Sequence, residues 1–158
     1  MAALNSLTKR VRSERGAELI EFALVFPLLL LLVLGMVDFG FLFQRYEVLT
    51  NAAREGARMA VLPGSYTNTD VQARVCSYIQ TSGLAITGSC PTPSNPVITP
   101  SDTTVPIGGG ATIQAKRVDI TYTNTYLFIG PIARMFGGTF STVPIRAVAI
   151  MRKEVPTP

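Results

Sequence analysis

Sixteen consecutive residues, Phe22 to Val37, carry no charge, and apolar positions from Leu19 to Phe43 lengthen the run to about 25 residues, interrupted by Glu21 and Asp38. About 20 apolar residues in a helix, at roughly 1.5 Å per residue, cross a hydrocarbon core of roughly 30 Å. The pattern therefore predicts one membrane-spanning helix. Good helix formers begin at Ala17, and the exceptions inside the run are Pro27 and Gly35. A proline removes one helical hydrogen bond and crowds the preceding turn, so a kink is expected at Pro27. Membrane helices tolerate such a residue better than soluble ones do.

Past the span the helical period continues. Leu42, Tyr46, Leu49, Ala53, Ala57 and Ala60 recur at three- and four-residue spacing, while Asn51, Arg54, Glu55 and Arg58 collect on another face. The packing face is small-sided, with Ala52, Ala53, Gly56, Ala57 and Ala60, and Pro63-Gly64 is a strong stop. One helix from about Ala17 to Leu62 would be roughly 70 Å long, half in lipid and half projecting from it.

A second amphipathic helix is predicted over Asp70 to Thr81, with Asp70 as N-cap, Gly83 as terminator, and Val71, Val75 and Ile79 on one face beside Cys76. Prolines 91, 93, 96, 100 and 106 and the run Gly108-Gly109-Gly110 then leave room for one short edge strand, Pro96 to Thr99. Alternation in Thr112 to Thr125 predicts a strand. Val143 to Lys153 predicts another, apolar at nearly every position between Arg146 and Arg152, which suggests burial on both faces. The expected fold is α+β, with a small antiparallel sheet packed on the projecting half of the long helix. Tyr126 to Phe140 is too apolar for an ordinary exposed connection. Either it folds over the sheet as core, the favoured reading, or it is a patch facing another subunit or the membrane.

Charge sharpens the membrane reading. Lys9, Arg10, Arg12 and Arg15 against Glu14 place +3 in the first fifteen residues, out of a net +4, and the rest of the chain is nearly neutral. A basic segment just before an apolar run is the cytoplasmic anchor of the positive-inside rule. No basic stripe interleaved with aromatics follows, which argues against a nucleic-acid partner. Met1 to Arg15 shows no apolar periodicity and is expected to be loosely structured.

Cys76 and Cys90 both fall beyond the span, on the side the charge rule places outside the cytoplasm. There a pair is expected to be bridged, the alternative being two unrelated thiols. The chain has no histidine and no tryptophan. Without imidazole, histidine-ligated metal sites, serine or cysteine triads and proton transfer near neutral pH lack their usual group, so an enzyme is not expected. The glycine run has no following helix, lysine or hydroxyl at the offset of a phosphate loop and reads as a turn. Asp70, Asp102 and Asp119 lack the spacing of a calcium loop, so neither a metal nor a cofactor is expected.

The most informative stretch is Arg-Gly-Ala-Glu-Leu-Ile-Glu-Phe-Ala-Leu-Val-Phe-Pro-Leu-Leu, starting at Arg15. Gly16 stands between basic leader and apolar helix, where it gives a protease close access to the backbone and is expected to break regular helix. A carboxylate at a helix centre in the bilayer costs about 2.5–3.5 kcal/mol on the insertion scale, less near the interface. Glu21 therefore needs either a route to the headgroups or a partner.

Gly16-Ala17-Glu18-Leu19-Ile20-Glu21-Phe22 resembles a type IV prepilin-like cleavage site. With Pro27, the leucine run and Asn51-Ala52-Ala53-Arg54-Glu55-Gly56-Ala57-Arg58, it resembles the TadE-like family of Tad/Flp pilus systems, over about Arg15 to Val61. Flp major pilins share the site but carry tyrosine after the glutamate and are much shorter, so the resemblance implies a minor pilin or pseudopilin. It implies removal of residues 1–16 by a prepilin peptidase, a transmembrane helix over 17–43, a projecting continuation over 44–62 and an extracytoplasmic domain over 63–158. Glu21 would pair with the new amine of Ala17 on a neighbouring subunit, beside Phe22. The implied partners are the peptidase, other pilin subunits, the Tad assembly platform and the bilayer. The implied place is the bacterial inner membrane, with passage into a pilus serving adhesion, colonisation or biofilm formation. The remaining reading is an uncleaved, signal-anchored envelope protein whose outer domain binds assembly components.

Overall fold

Helix-forming residues up to Pro63 produce one 60-residue helix, α1 (Ala2–Val61), which Pro27 does not end. The computed structural model describes residues 2–64 and 66–153, with side chains from Gly16 onward. After α1 come α2 (Asn68–Thr81), β1 (Val97–Gly108), β2 (Ala111–Thr125), α3 (Ile129–Met135) and β3 (Thr142–Arg152). The sheet is antiparallel in the order β1-β2-β3, so the protein is α+β.

Three expectations about α1 change. The leader is helical from Ala2 rather than loosely structured, and Gly16 lies inside the helix rather than breaking it. Extending an existing helix costs little per residue, whereas nucleating one is unfavourable, and a single glycine costs only about 1 kcal/mol. Tyr46, expected on the packing stripe, is 46% exposed. Pro27 sits within the uninterrupted helix.

Leu49, Ala52, Ala53 and Ala57 of α1 are fully buried against Val71, Val75 and Ile79 of α2 and Val118 and Ile120 of β2. Gly56 is where α1, α2 and β2 converge. A Cβ there would overlap Val75 Cγ2 and stand 3.6 Å from Val118 Cγ1. The small residues thus set the distance at which helix and sheet approach. Helix α2 starts at Thr67, not Asp70. The Thr67 hydroxyl accepts from the Asp70 amide, and the Asp70 carboxylate accepts from the Thr67 amide at 2.8 Å, a reciprocal capping box. Gly83, at φ 75°, ends it, with its amide donating to Gln80 and that of Leu84 to Ile79. Cys76 is bridged to Cys90, with Cα atoms 6.0 Å apart, so α2 is tied to the proline-rich connection.

Strand β1 runs for 12 residues, far beyond the short piece expected at Pro96 to Thr99. It is an edge strand, and an edge accommodates Pro100 and Pro106 because one side of the backbone has no ladder to complete. Gly109 and Gly110 both have positive φ and close the β1–β2 hairpin, which makes the glycine run a tight turn. Strand β3 buries Ile145, Ala147 and Ala149 on one face only. Val148 and Ile150 on the other are 40% and 46% exposed, contrary to the two-sided burial expected.

Candidate functional site

From Ala17 to Val33 every residue of α1 is exposed. Leucines 28 to 32 are 44–66% exposed and Phe22 is 63% exposed. Each such side chain gains about 1.5–3 kcal/mol on leaving water, so this surface requires lipid or other helices around it. Gly16 is half-exposed, and a Cβ added to it would meet nothing within 4 Å, so the backbone there is approachable from outside. Ala17 and Glu21 are one turn apart and share a helix face. Phe22 stacks on Phe26, one turn further along, with ring centroids 5.2 Å apart. The sequence-predicted site residues Gly16, Ala17, Glu21, Phe22 and Pro27 thus lie along one exposed helix. Cys76 and Cys90 belong to the domain.

The second carboxylate in the apolar stretch has a different role. Asp38 is only 3% exposed. Its Oδ1 accepts from the Leu127 amide at 2.9 Å, and its Oδ2 accepts from those of Phe128 and Ile129 at 3.0 and 2.7 Å. Three backbone donors satisfy the buried charge, and the same contact fixes the β2–β3 connection to α1. Two turns further along α1, the Arg45 guanidinium donates to Asn124 Oδ1, and Asn124 is itself buried. The sequence marked Asp38 only as an interruption of the apolar run, and its partners lie 89 to 91 residues away.

Within the domain Asp119, Asp102 and Glu55 are engaged with cations. Asp119 is held below its ordinary value by the Arg117 guanidinium at 2.5 Å, with Arg146 at 2.6 Å adding to the effect. Asp102 is lowered by Lys153 and then Lys116, and Glu55 by Arg74 of α2. The aspartates that might have formed a calcium site therefore serve a helix cap and two ion-pair networks. Among the described residues no cluster of three or more metal-ligating side chains occurs.

The family comparison falls entirely on α1, from the approachable Gly16 to Arg58. Residues 16–58 match the family model described as TadE-like protein. The TadE-like segment includes Glu21, Asp38 and the small-sided face at Ala52 to Ala57, and stops before Pro63. Helix α2 and the sheet lie outside it. Comparison with curated proteins and with solved structures gives no match. Among the described residues one helix is long and apolar enough to cross a membrane, which fits a membrane anchor.

Proposed function

We infer that the chain is a minor pilin or assembly-initiating pseudopilin of a Tad/Flp-type pilus. The observation that carries this reading is the coincidence of the TadE-like match, which begins at Gly16, with the exposed apolar stretch of α1 from Ala17 to Val33, which presents Glu21 on its surface. A prepilin peptidase removes residues 1–16 in the inner membrane, leaving the amine of Ala17, whose reference pKa is about 8, charged at neutral pH. The helix remains in the bilayer over residues 17–43, its N-terminus cytoplasmic, and the domain from residue 63 on is extracytoplasmic.

During assembly the Glu21 carboxylate meets the Ala17 amine of a neighbouring subunit. Unit charges about 4 Å apart attract by roughly 4 kcal/mol at an effective dielectric near 20, before desolvation. That contact selects axial register, and the apolar surface around it supplies non-directional packing. The filament built this way supports adhesion, colonisation or biofilm formation.

N-terminal sequencing and intact-mass measurement of protein from envelopes test the processing step. The expected product begins at Ala17, and replacing Gly16 by leucine leaves the full-length chain in the membrane. A wild-type chain that retains residues 1–16 throughout would instead support the uncleaved, signal-anchored alternative.

A further inference from the structure

The connection between β2 and β3 is apolar and lies largely uncovered. Met135 and Phe136 are 83% and 84% exposed, Phe140 63% and Leu127 59%. Tyr126, at 7%, is buried and stacks on Phe140 with centroids 5.8 Å apart. The segment is therefore an ordered apolar patch, not the core layer the sequence favoured.

Its height along α1 follows from three contacts. Strand β2 descends antiparallel to α1, with Val118 beside Gly56, Asn124 on Arg45, and residues 127–129 on Asp38. From Gly56 to Asp38 the helix falls about 27 Å, and the stretch from Val118 to Leu127, strand as far as Thr125, covers about 30 Å if extended throughout, so the two run in step. From Leu19 to Val37 the apolar run rises about 27 Å, close to one hydrocarbon thickness. Asp38 therefore stands where α1 leaves the hydrocarbon core, with residues 39–43 in the headgroup layer. On α1 around this height, Val37, Phe39, Phe41 and Phe43 are also exposed, on both sides of the helix. Arg134, exposed in the last turn of α3, is placed to extend to phosphate while its neighbours enter the acyl region.

We propose that the Leu127–Phe140 connection is a second bilayer contact: an interfacial foot that inserts Leu127, Met135, Phe136 and Phe140 at the boundary of the leaflet from which α1 emerges. The proposal rests on α1 being the membrane anchor. Asp38 holds the foot at that depth, and the foot in turn keeps Asp38 dry. Two attachment points fix the orientation of the domain on the membrane, which a single helix would leave free to rotate. Transfer into a filament would then require the foot to leave lipid.

The chain has no tryptophan, so single-tryptophan variants of the full-length protein in phosphatidylcholine–phosphatidylglycerol vesicles read the depth directly. Phe136→Trp and Phe140→Trp probe the foot, Phe26→Trp the span, and Ile107→Trp the far end of β1, where the native residue is 59% exposed. The expected result is blue-shifted emission from both foot probes. They should also be quenched by lipids spin-labelled near the headgroup and be several-fold less accessible to iodide than the Ile107→Trp probe. Foot probes that match the Ile107→Trp probe while the Phe26→Trp probe is quenched by deep labels would overturn the foot and leave the anchor standing. An aqueous Phe26→Trp probe would overturn both. Foot probes shielded from iodide yet untouched by lipid quenchers, with shielding that grows with protein-to-lipid ratio, would assign the patch to contacts between copies and overturn the bilayer assignment.

Discussion

Asp38 on the long helix accepts a 2.7 Å hydrogen bond from the amide of Ile129, 91 residues later, at the first turn of the short helix between the last two strands. With the Leu127 and Phe128 amides, this contact joins the apolar half of α1 to the domain beyond it. A charged acceptor of this kind contributes about 1.5–3 kcal/mol, and its removal leaves buried donors unsatisfied. Asp38→Ala should therefore cost about 2–3 kcal/mol and expose residues 127–129 to rapid amide exchange, while Asp38→Asn retains one acceptor and loses less. Hydrogen exchange resolved to that peptide checks it, and unchanged protection in Asp38→Ala would remove the tether from the account.

The approach of α1 to α2 depends on the missing side chain at Gly56. Gly56→Ala forces a methyl into Val75 Cγ2, and overpacking of this kind costs about 1–3 kcal/mol. Val75→Ala in the same chain makes room, so the two changes should be coupled by about 0.5–3 kcal/mol in a double-mutant cycle. Chemical denaturation in detergent measures all four corners. Strict additivity would mean that the interface relaxes elsewhere.

How much of this was legible along the chain depended on how local the cause was. The small-sided face at Ala52 to Ala57 and the apolar face of α2 follow from 3.6-residue periodicity, and β2 from its alternation. The capping box needed only the Thr67–Asp70 spacing, which a carboxylate at Asp70 obscured by itself resembling an N-cap. Strand β1 was hidden by Pro100 and Pro106, whose penalty disappears at a sheet edge, and edge position is a tertiary property. Strand β3 reads as doubly buried because Val148 and Ile150 are apolar, yet the helices cover only the Ile145, Ala147 and Ala149 side. Along α1, Gly16, Ala17, Glu21 and Phe22 stand out by residue type and spacing. The role of Asp38 does not, because nothing near it in sequence names its partners.

Acid should loosen the domain. Asp119, Asp102 and Glu55 all have folded-state pKa values below their ordinary ones, chiefly through Arg117, Lys153 and Arg74 respectively. The stability they add is complete above the unfolded-state values, about 4, and is lost as pH falls through the lower folded-state values. Denaturation midpoints should stay level from neutral pH down to about that point and then decline, with a shallower decline in Asp119→Asn. Midpoints that rise on acidification would contradict the ion-pair assignment.

The claim that this chain enters a filament through its exposed helix is tested most directly at Glu21. Replacing Glu21 by alanine removes a carboxylate from an apolar segment, so insertion should if anything become easier. Processing should persist, since access depends on Gly16 and the basic leader. Cell fractionation and shearing of surface pili, compared for wild type, Glu21→Ala and Glu21→Gln, separate insertion from assembly. The account predicts that wild-type subunit appears in the sheared fraction, while both variants accumulate as processed, membrane-resident protein beginning at Ala17. Equal incorporation of both variants into sheared filaments would contradict the pairing of Glu21 with the Ala17 amine and leave Glu21 as a residue that merely reaches the headgroups.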